Sequence, residues 1–150
     1  MSVALFLRNE AGRRGVPLRR SFERWIEAIP ELRRRRVEVN LLVVGRAAGR
    51  RYNREFRHKD YATNVLSFPY QPLPGERNRG LLGDLVVCAP VVAREAAEQG
   101  KRLRDHYAHL TIHGVLHLLG YDHTAARAAE RMEALEVRIL AGLHIPNPYE

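Results

Sequence analysis

The chain has 150 residues, of which 45% are hydrophobic and 28% charged, so it is long enough to form one domain with its own core. It holds no apolar run of the roughly 20 residues that a membrane-spanning helix needs, and its one cysteine, Cys88, excludes an internal disulfide framework. The first residues lack the basic start and the cleavage site of a signal peptide. We therefore expect a single domain over residues 1–150 in the reducing cytoplasm.

The positive charge is concentrated in the first 60 residues. The net charge is +8, and residues 1–60 hold 16 of the 25 Lys and Arg but 7 of the 17 Asp and Glu. A basic face attracts a polyanion such as nucleic acid because binding releases counterions. Codon bias or heat adaptation would explain the same arginine-rich composition, so charge alone leaves nucleic-acid binding open.

Hydrophobic periodicity predicts an α+β chain of four strands and five helices. In the first half it predicts a strand over residues 3–7, a helix that Ser21 caps and Pro30 ends, a strand over residues 37–44 and a basic helix over residues 47–56. Tyr52 and Phe56 on that last helix are possible stacking surfaces for nucleic-acid bases, although aromatic residues of this kind more often belong to the core.

The second half begins with a predicted strand over residues 63–68 and a Pro- and Gly-rich loop over residues 69–80. A strand over residues 83–88 follows, in which we expect Asp84 to stabilise a turn and Cys88 to pack as a small hydrophobe. Three helices complete the chain, over residues 90–98, 104–119 and 125–140.

Three histidines near the end of the second of these helices have the spacing of metal ligands. His113 and His117 are four residues apart, so their rings lie one turn apart on the same helix face. Gly120 suits a left-handed helix C-cap, and the chain that reverses after it can bring His123 back as a third nitrogen ligand. Three protein ligands leave a fourth tetrahedral position open, which is typical of a catalytic rather than a structural zinc site.

Two more histidines lie on the same predicted helix. His109 is separated from His117 by about 12 Å of helix rise, which one ion with bonds of about 2 Å cannot span. We therefore expect His109 to support the site or to pack in the core, and His106 to lie on the surface. We expect Asp122 either to orient a ligand or to stabilise the turn.

The same His-x3-His-x5-His spacing occurs in metzincin proteases, which carry a glutamate directly after the first histidine as the general base. Here that place holds Gly114, which cannot accept a proton. The pattern therefore disfavours peptide hydrolysis by that mechanism.

The segment from His113 to His123 resembles the signature of the YbeY family of bacterial metal-dependent endoribonucleases. Two further blocks support the resemblance, YNREFRHKDYATNVLSFP at residues 52–69 and LGDLVVC at residues 82–88. The order and separation of the three blocks also agree with that family, and together they cover most of residues 37–145.

The resemblance implies a four-stranded mixed sheet packed against several helices. It implies that His113, His117 and His123 hold a metal ion, usually zinc, with Arg57 as a functional arginine in a basic cleft beside it. We take Arg57 and His113 as the catalytic residues. The implied substrate is single-stranded RNA, notably the 3′ end of 16S rRNA, with the small ribosomal subunit and its associated factors as partners in ribosome quality control.

The chemistry of Arg57 agrees with that role, because a guanidinium offers permanently charged, bidentate donors to phosphate. Without the resemblance, an ion pair with Glu55 or Asp60 would explain this arginine as well. The metal could polarise a phosphoryl oxygen or lower the pKa of water, and either that water or a ribose 2′-hydroxyl could attack.

Two other functions stay open at this stage. One is a ribosome-associated RNA-binding or chaperone protein whose metal is structural, which a fourth protein ligand would favour. The other is a metalloprotease, which requires an acidic base near the metal.

Overall fold

The computed structural model describes residues 3–78 and 80–150. Its strands are β1 (Val3–Asn9), β2 (Val37–Val44), β3 (Val65–Pro69) and β4 (Leu81–Cys88), and its helices are α1 (Arg19–Glu27), α2 (Arg46–Arg57), α3 (Ala89–Gln99), α4 (Leu103–Leu118) and α5 (Ala126–Gly142). A short 3-10 turn, Pro30–Leu32, lies between α1 and β2. Arg79, part of the predicted loop over residues 69–80, lies outside the described residues.

The four strands form one mixed sheet in the order β1-β2-β4-β3. Strands β1, β2 and β4 are parallel, while β3 runs antiparallel to β4 at the edge. The two central strands are the most buried of the four, as expected for strands covered on both faces. The α+β class and the mixed sheet expected from the resemblance are confirmed.

The main hydrophobic core lies between one face of this sheet and helices α1 and α4. Helices α3 and α5 pack against α4 from other sides. The largest side chains of this core are fully buried, among them Phe22, Ile26, Tyr107, Ile112, Leu116 and Met132. Helix α4 is therefore enclosed by sheet and helices, which explains why it is apolar on most of its surface.

Helix α2 covers part of the opposite sheet face. The helix approaches β4 closely at Gly49, which has no side chain. A Cβ at this position would lie only 2.9 Å from the sulfur of Cys88. Cys88 is buried in the second, smaller hydrophobic cluster, as predicted. Asp84 does not stabilise a turn, contrary to expectation: it lies within β4, where its carboxylate accepts a 2.8 Å hydrogen bond from Asn40 of β2.

The predicted cap of the first helix is wrong. Ser21 is buried inside α1, which begins at Arg19 after an extended Leu18 without a side-chain cap. The reason is tertiary, because the Arg19 guanidinium donates a hydrogen bond to the carbonyl of Leu5 on β1 and ties the helix start to the sheet. No helix in the described part of the chain combines the length and the apolarity that a membrane crossing requires.

Candidate metal centre

Helix α4 places two of the three predicted ligands. Its backbone lies directly on the sheet at Gly114, whose carbonyl accepts a 3.2 Å hydrogen bond from the Ser67 hydroxyl of β3. One residue earlier and three residues later, His113 and His117 turn away from the fully buried positions and are half-buried. The helix ends at Leu118, and Gly120 follows with a φ of +101° that only glycine adopts readily, so the chain reverses.

The structure brings His113, His117 and His123 together. The Nε2 atoms of His113 and His117 are 3.1 Å apart, and each of the three rings offers a nitrogen within 4.8 Å of the other two. A tetrahedral ion with bonds of about 2.0–2.1 Å needs ligand nitrogens roughly 3.3 Å apart. The cluster is therefore close to the dimensions of a zinc site.

Hydrogen bonds on the far side of two rings determine which nitrogens face the centre. The Nδ1 of His117 lies 3.0 Å from the carbonyl oxygen of Tyr121, which can only accept, so this Nδ1 carries the proton. The Nδ1 of His113 lies 3.0 Å from a carboxylate oxygen of Glu136 and donates to it. Both Nε2 atoms are thereby left as lone pairs that face each other.

The two Nε2 atoms are 3.1 Å apart, and their lone pairs repel each other unless a positive charge lies between them. The arrangement therefore suits a cation. Burial lowers the pKa of His117, and the neighbouring His113 and His123 lower it further, which keeps its Nε2 available as a ligand. On these grounds the residues fit a metal such as zinc, which prefers neutral imidazole nitrogens.

One side of the cluster is open. His123 is exposed, whereas His113 and His117 are half-buried. Within residues 3–78 and 80–150, no further His, Cys, Asp or Glu joins these three rings as a fourth ligand. The geometry therefore leaves room for a water molecule or a substrate oxygen, the arrangement typical of catalytic sites.

Arg57 is the last residue of α2 and is exposed. His58 follows in the left-handed conformation, and Asn53 donates a 2.7 Å hydrogen bond to the carbonyl of Tyr61, so the chain on both sides of Arg57 is fixed. The ion pair considered from the sequence does not form: Asp60 instead binds Arg50 through two 2.8 Å hydrogen bonds, which lower the pKa of Asp60. In the described chain, no hydrogen bond or ion pair engages the Arg57 guanidinium or joins it to the three histidines.

Two neighbouring histidines are buried. His109 contacts Glu136 at 2.7 Å, and Glu136 in turn contacts His113. The surface position predicted for His106 is wrong, because this side chain is 4% exposed and its Nε2 lies 2.9 Å from Glu95 of α3. Asp122 is a turn residue, with its carboxylate bound to the amide and the hydroxyl of Thr124.

Sequence reasoning missed Glu136 and Tyr149. Glu136 is fully buried, and its carboxylate contacts His109, His113 and the hydroxyl of Tyr149 at 2.6–3.0 Å. Burial opposes its ionisation, but the hydrogen bonds from His109 and His113 outweigh burial and lower the pKa of Glu136 to about 2. The sequence feature that could have indicated Glu136 is its position on α5, where it lies on the same face as the apolar residues Met132, Ile139 and Leu140.

Comparison with known proteins identifies the class to which this fold and histidine cluster belong. The family model described as endoribonuclease YbeY matches residues 8–144, so the chain belongs to the YbeY family. This range contains Arg57, the three clustered histidines and Glu136.

Individual relatives are similar over nearly the whole chain. Endoribonuclease YbeY of Alkalilimnicola ehrlichii is 55% identical over 93% of this chain and 86% of its own. The protein of the same name from Stenotrophomonas maltophilia is 56% identical over 91% of this chain and 87% of its own. A Thermotoga maritima protein solved in solution shares the fold, with a TM-score of 0.61 over 94% of this chain and 92% of its own, at 24% identity.

Proposed function

We propose that this chain is a zinc-dependent endoribonuclease that cleaves single-stranded RNA, with residues 1–150 forming one catalytic domain. His113, His117 and His123 hold one zinc ion, and Arg57 and His113 are the catalytic residues. The observation that carries the proposal is the pair of Nε2 lone pairs 3.1 Å apart, beside an exposed third histidine. The relatives named endoribonuclease YbeY support RNA as the substrate.

Each residue has a role that follows from its chemistry. Phosphodiester cleavage builds negative charge on the phosphate, and the Arg57 guanidinium is exposed and able to neutralise that charge through two parallel hydrogen bonds. His113 and His117 present their Nε2 atoms to the centre because their Nδ1 protons are already bound elsewhere. The zinc ion, when bound, supplies Lewis-acid chemistry.

Two features of the site argue against the other functions considered from the sequence. A structural metal in a binding protein would have four protein ligands, whereas only three converge here among the described residues. A metzincin-type protease needs a glutamate at position 114, and Gly114 lies against the sheet, where a Cβ would come within 2.8 Å of Leu85.

The biological setting belongs to the same proposal. We place the enzyme in the cytoplasm, where it matures the 3′ end of 16S rRNA and takes part in ribosome quality control together with the small ribosomal subunit. The strongly basic first 60 residues support contact with a polyanion of this kind.

The test is cleavage of an unstructured RNA by metal-free protein, repeated after zinc, manganese, nickel and magnesium are added one at a time. We expect no cleavage without metal and recovery with zinc. A matched RNA locked in a long duplex should resist cleavage. Full activity in the metal-free protein, or casein digestion without RNA cleavage, would overturn the proposal.

A further inference from the structure

Glu136 is an unusual residue for the place it occupies. It lies on α5 with 0% of its surface exposed, and it faces α4 rather than solvent. A buried carboxylate without partners is costly, so its position requires a compensating set of donors. The structure supplies three of them, two imidazoles and one phenol.

These donors divide between the two carboxylate oxygens. Oε1 accepts from the Tyr149 hydroxyl at 2.6 Å and lies 2.7 Å from the Nε2 of His109, while Oε2 lies 3.0 Å from the Nδ1 of His113. His109 and Tyr149 therefore hold one oxygen, and the other oxygen is presented to His113. The carboxylate cannot rotate without breaking at least two of these bonds.

The bond to His113 determines the behaviour of that ring at the metal centre. A neutral imidazole carries its proton on one nitrogen, and an ionised carboxylate at Nδ1 selects the form with the proton there. The Nε2 of His113 is then a lone pair, and it points at the Nε2 of His117. Histidine ligands oriented by a carboxylate in this way bind metal more strongly, since the partner fixes the ring and raises its basicity.

We infer that Glu136 is a positioning residue of the metal centre, and that His109 and Tyr149 hold its carboxylate in place so that His113 keeps its Nε2 lone pair turned toward His117 and His123. This inference rests on the proposed metal site, but it assigns a role to residues that do not touch the ion. It also extends the centre to Tyr149, which lies beyond the segment matched by the family model.

The first measurement needs no variant and no metal. Long-range ¹H–¹⁵N NMR of the metal-free protein distinguishes Nδ1–H from Nε2–H histidines. We expect His113 to carry its proton on Nδ1. An Nε2–H form for His113 in the folded wild-type protein would overturn the inference, whatever the variants do.

The second measurement uses Glu136→Gln, whose side-chain amide offers one acceptor oxygen in place of two. We expect His113 to populate both tautomers, and zinc affinity, measured by competition with a chromophoric chelator, to fall about 10–100-fold. Glu136→Asp, which restores a carboxylate, should recover part of the affinity. The matched control is Glu130→Gln, the same change at an exposed position on the same helix, which should leave both readouts unchanged.

A purely structural role for Glu136 makes a different prediction. In that case Glu136→Gln would lower the unfolding temperature of the metal-free protein, while the His113 tautomer and the zinc affinity of the folded fraction would stay within twofold of wild type. That result would overturn the inference. None of these readouts involves RNA, so a failed cleavage assay and a failed positioning role are distinguishable.

Discussion

The hydroxyl of Ser67 on β3 donates a 3.2 Å hydrogen bond to the backbone carbonyl of Gly114 on α4. A helix carbonyl can be reached in this way only where the helix backbone approaches the sheet without an intervening side chain. The absence of a Cβ at residue 114 permits that approach, since the added carbon would come within 2.8 Å of Leu85 on β4. This contact sets the distance between the sheet and α4, the helix that carries two of the candidate ligands.

Gly114→Ala should destabilise the protein, although alanine is the better helix former by about 1 kcal/mol. Overpacking against Leu85 is expected to cost roughly 1–3 kcal/mol, measured as the free energy of unfolding in urea. Gly142→Ala is the matched control, because it lies in α5 with nothing within 4 Å of the added carbon and should be neutral or stabilising. Equal effects of the two substitutions would contradict the packing role.

His117→Ala should remove the metal centre. With free zinc at about 100 times its dissociation constant, we expect the wild-type protein to gain roughly 2.7 kcal/mol of stability and the variant to gain almost none. Thermal unfolding with and without zinc measures the difference. His144→Asn serves as the control: this exposed histidine has a φ of +62°, which asparagine tolerates, and its loss should leave the zinc response intact.

Arg57→Ala should leave zinc binding unchanged and lower kcat/KM for single-stranded RNA about 100-fold or more, since a charge-assisted contact to the transition state is lost. Arg57→Lys should restore only part of the rate, because an ammonium cannot form the bidentate contact. Arg51→Ala removes the same charge from an exposed position on the same helix and should have a small effect. If Arg57→Ala cleaves RNA at the wild-type rate, the catalytic role assigned to this arginine is wrong.

Protonation of His106 should lower the folding stability of the protein in mild acid. Burial lowers the pKa of His106; the hydrogen bond and charge of Glu95 oppose that shift, and the charges of Lys101 and His109 add to it. The folded chain therefore binds this proton less readily than the unfolded chain. The resulting loss of stability sets in as the pH falls below the ordinary histidine pKa of about 6.5.

His106→Gln removes this titration and keeps a hydrogen-bond donor for Glu95. Urea unfolding of metal-free protein between pH 7.5 and 5.5 should show wild type losing more stability than the variant, by at most about 1.4 kcal/mol per pH unit. The three clustered histidines are unchanged in the variant, so the comparison isolates His106. Parallel stability curves would show that His106 does not contribute.

The elements that the sequence predicted well are those whose pattern is set locally. Strand β2 was predicted over the residues that it occupies, because its alternating start and its fully apolar end are typical of a central strand. The three histidines were predicted together for a similar reason, since helix spacing and one glycine turn bring them within reach of each other. Contacts between side chains of different helices and strands could not be predicted from local sequence patterns.

Two particular residues illustrate that limit. His106 was placed on the surface because nothing on its own helix indicates that α3 brings Glu95 to within 2.9 Å. Asp60 was considered a partner of Arg57 because the two are close in sequence. The left-handed turn at His58 instead presents Asp60 to Arg50, ten residues back along the chain.

The three histidines are not equivalent in how firmly they are held before an ion arrives. His113 and His117 lie on one buried helix and each ring is held by a hydrogen bond at its Nδ1, so little side-chain ordering is needed when a metal binds. His123 is carried on an exposed turn beyond Gly120. We therefore expect an ion to bind first at the two nitrogens on the helix, and His123 on its exposed turn to complete the site.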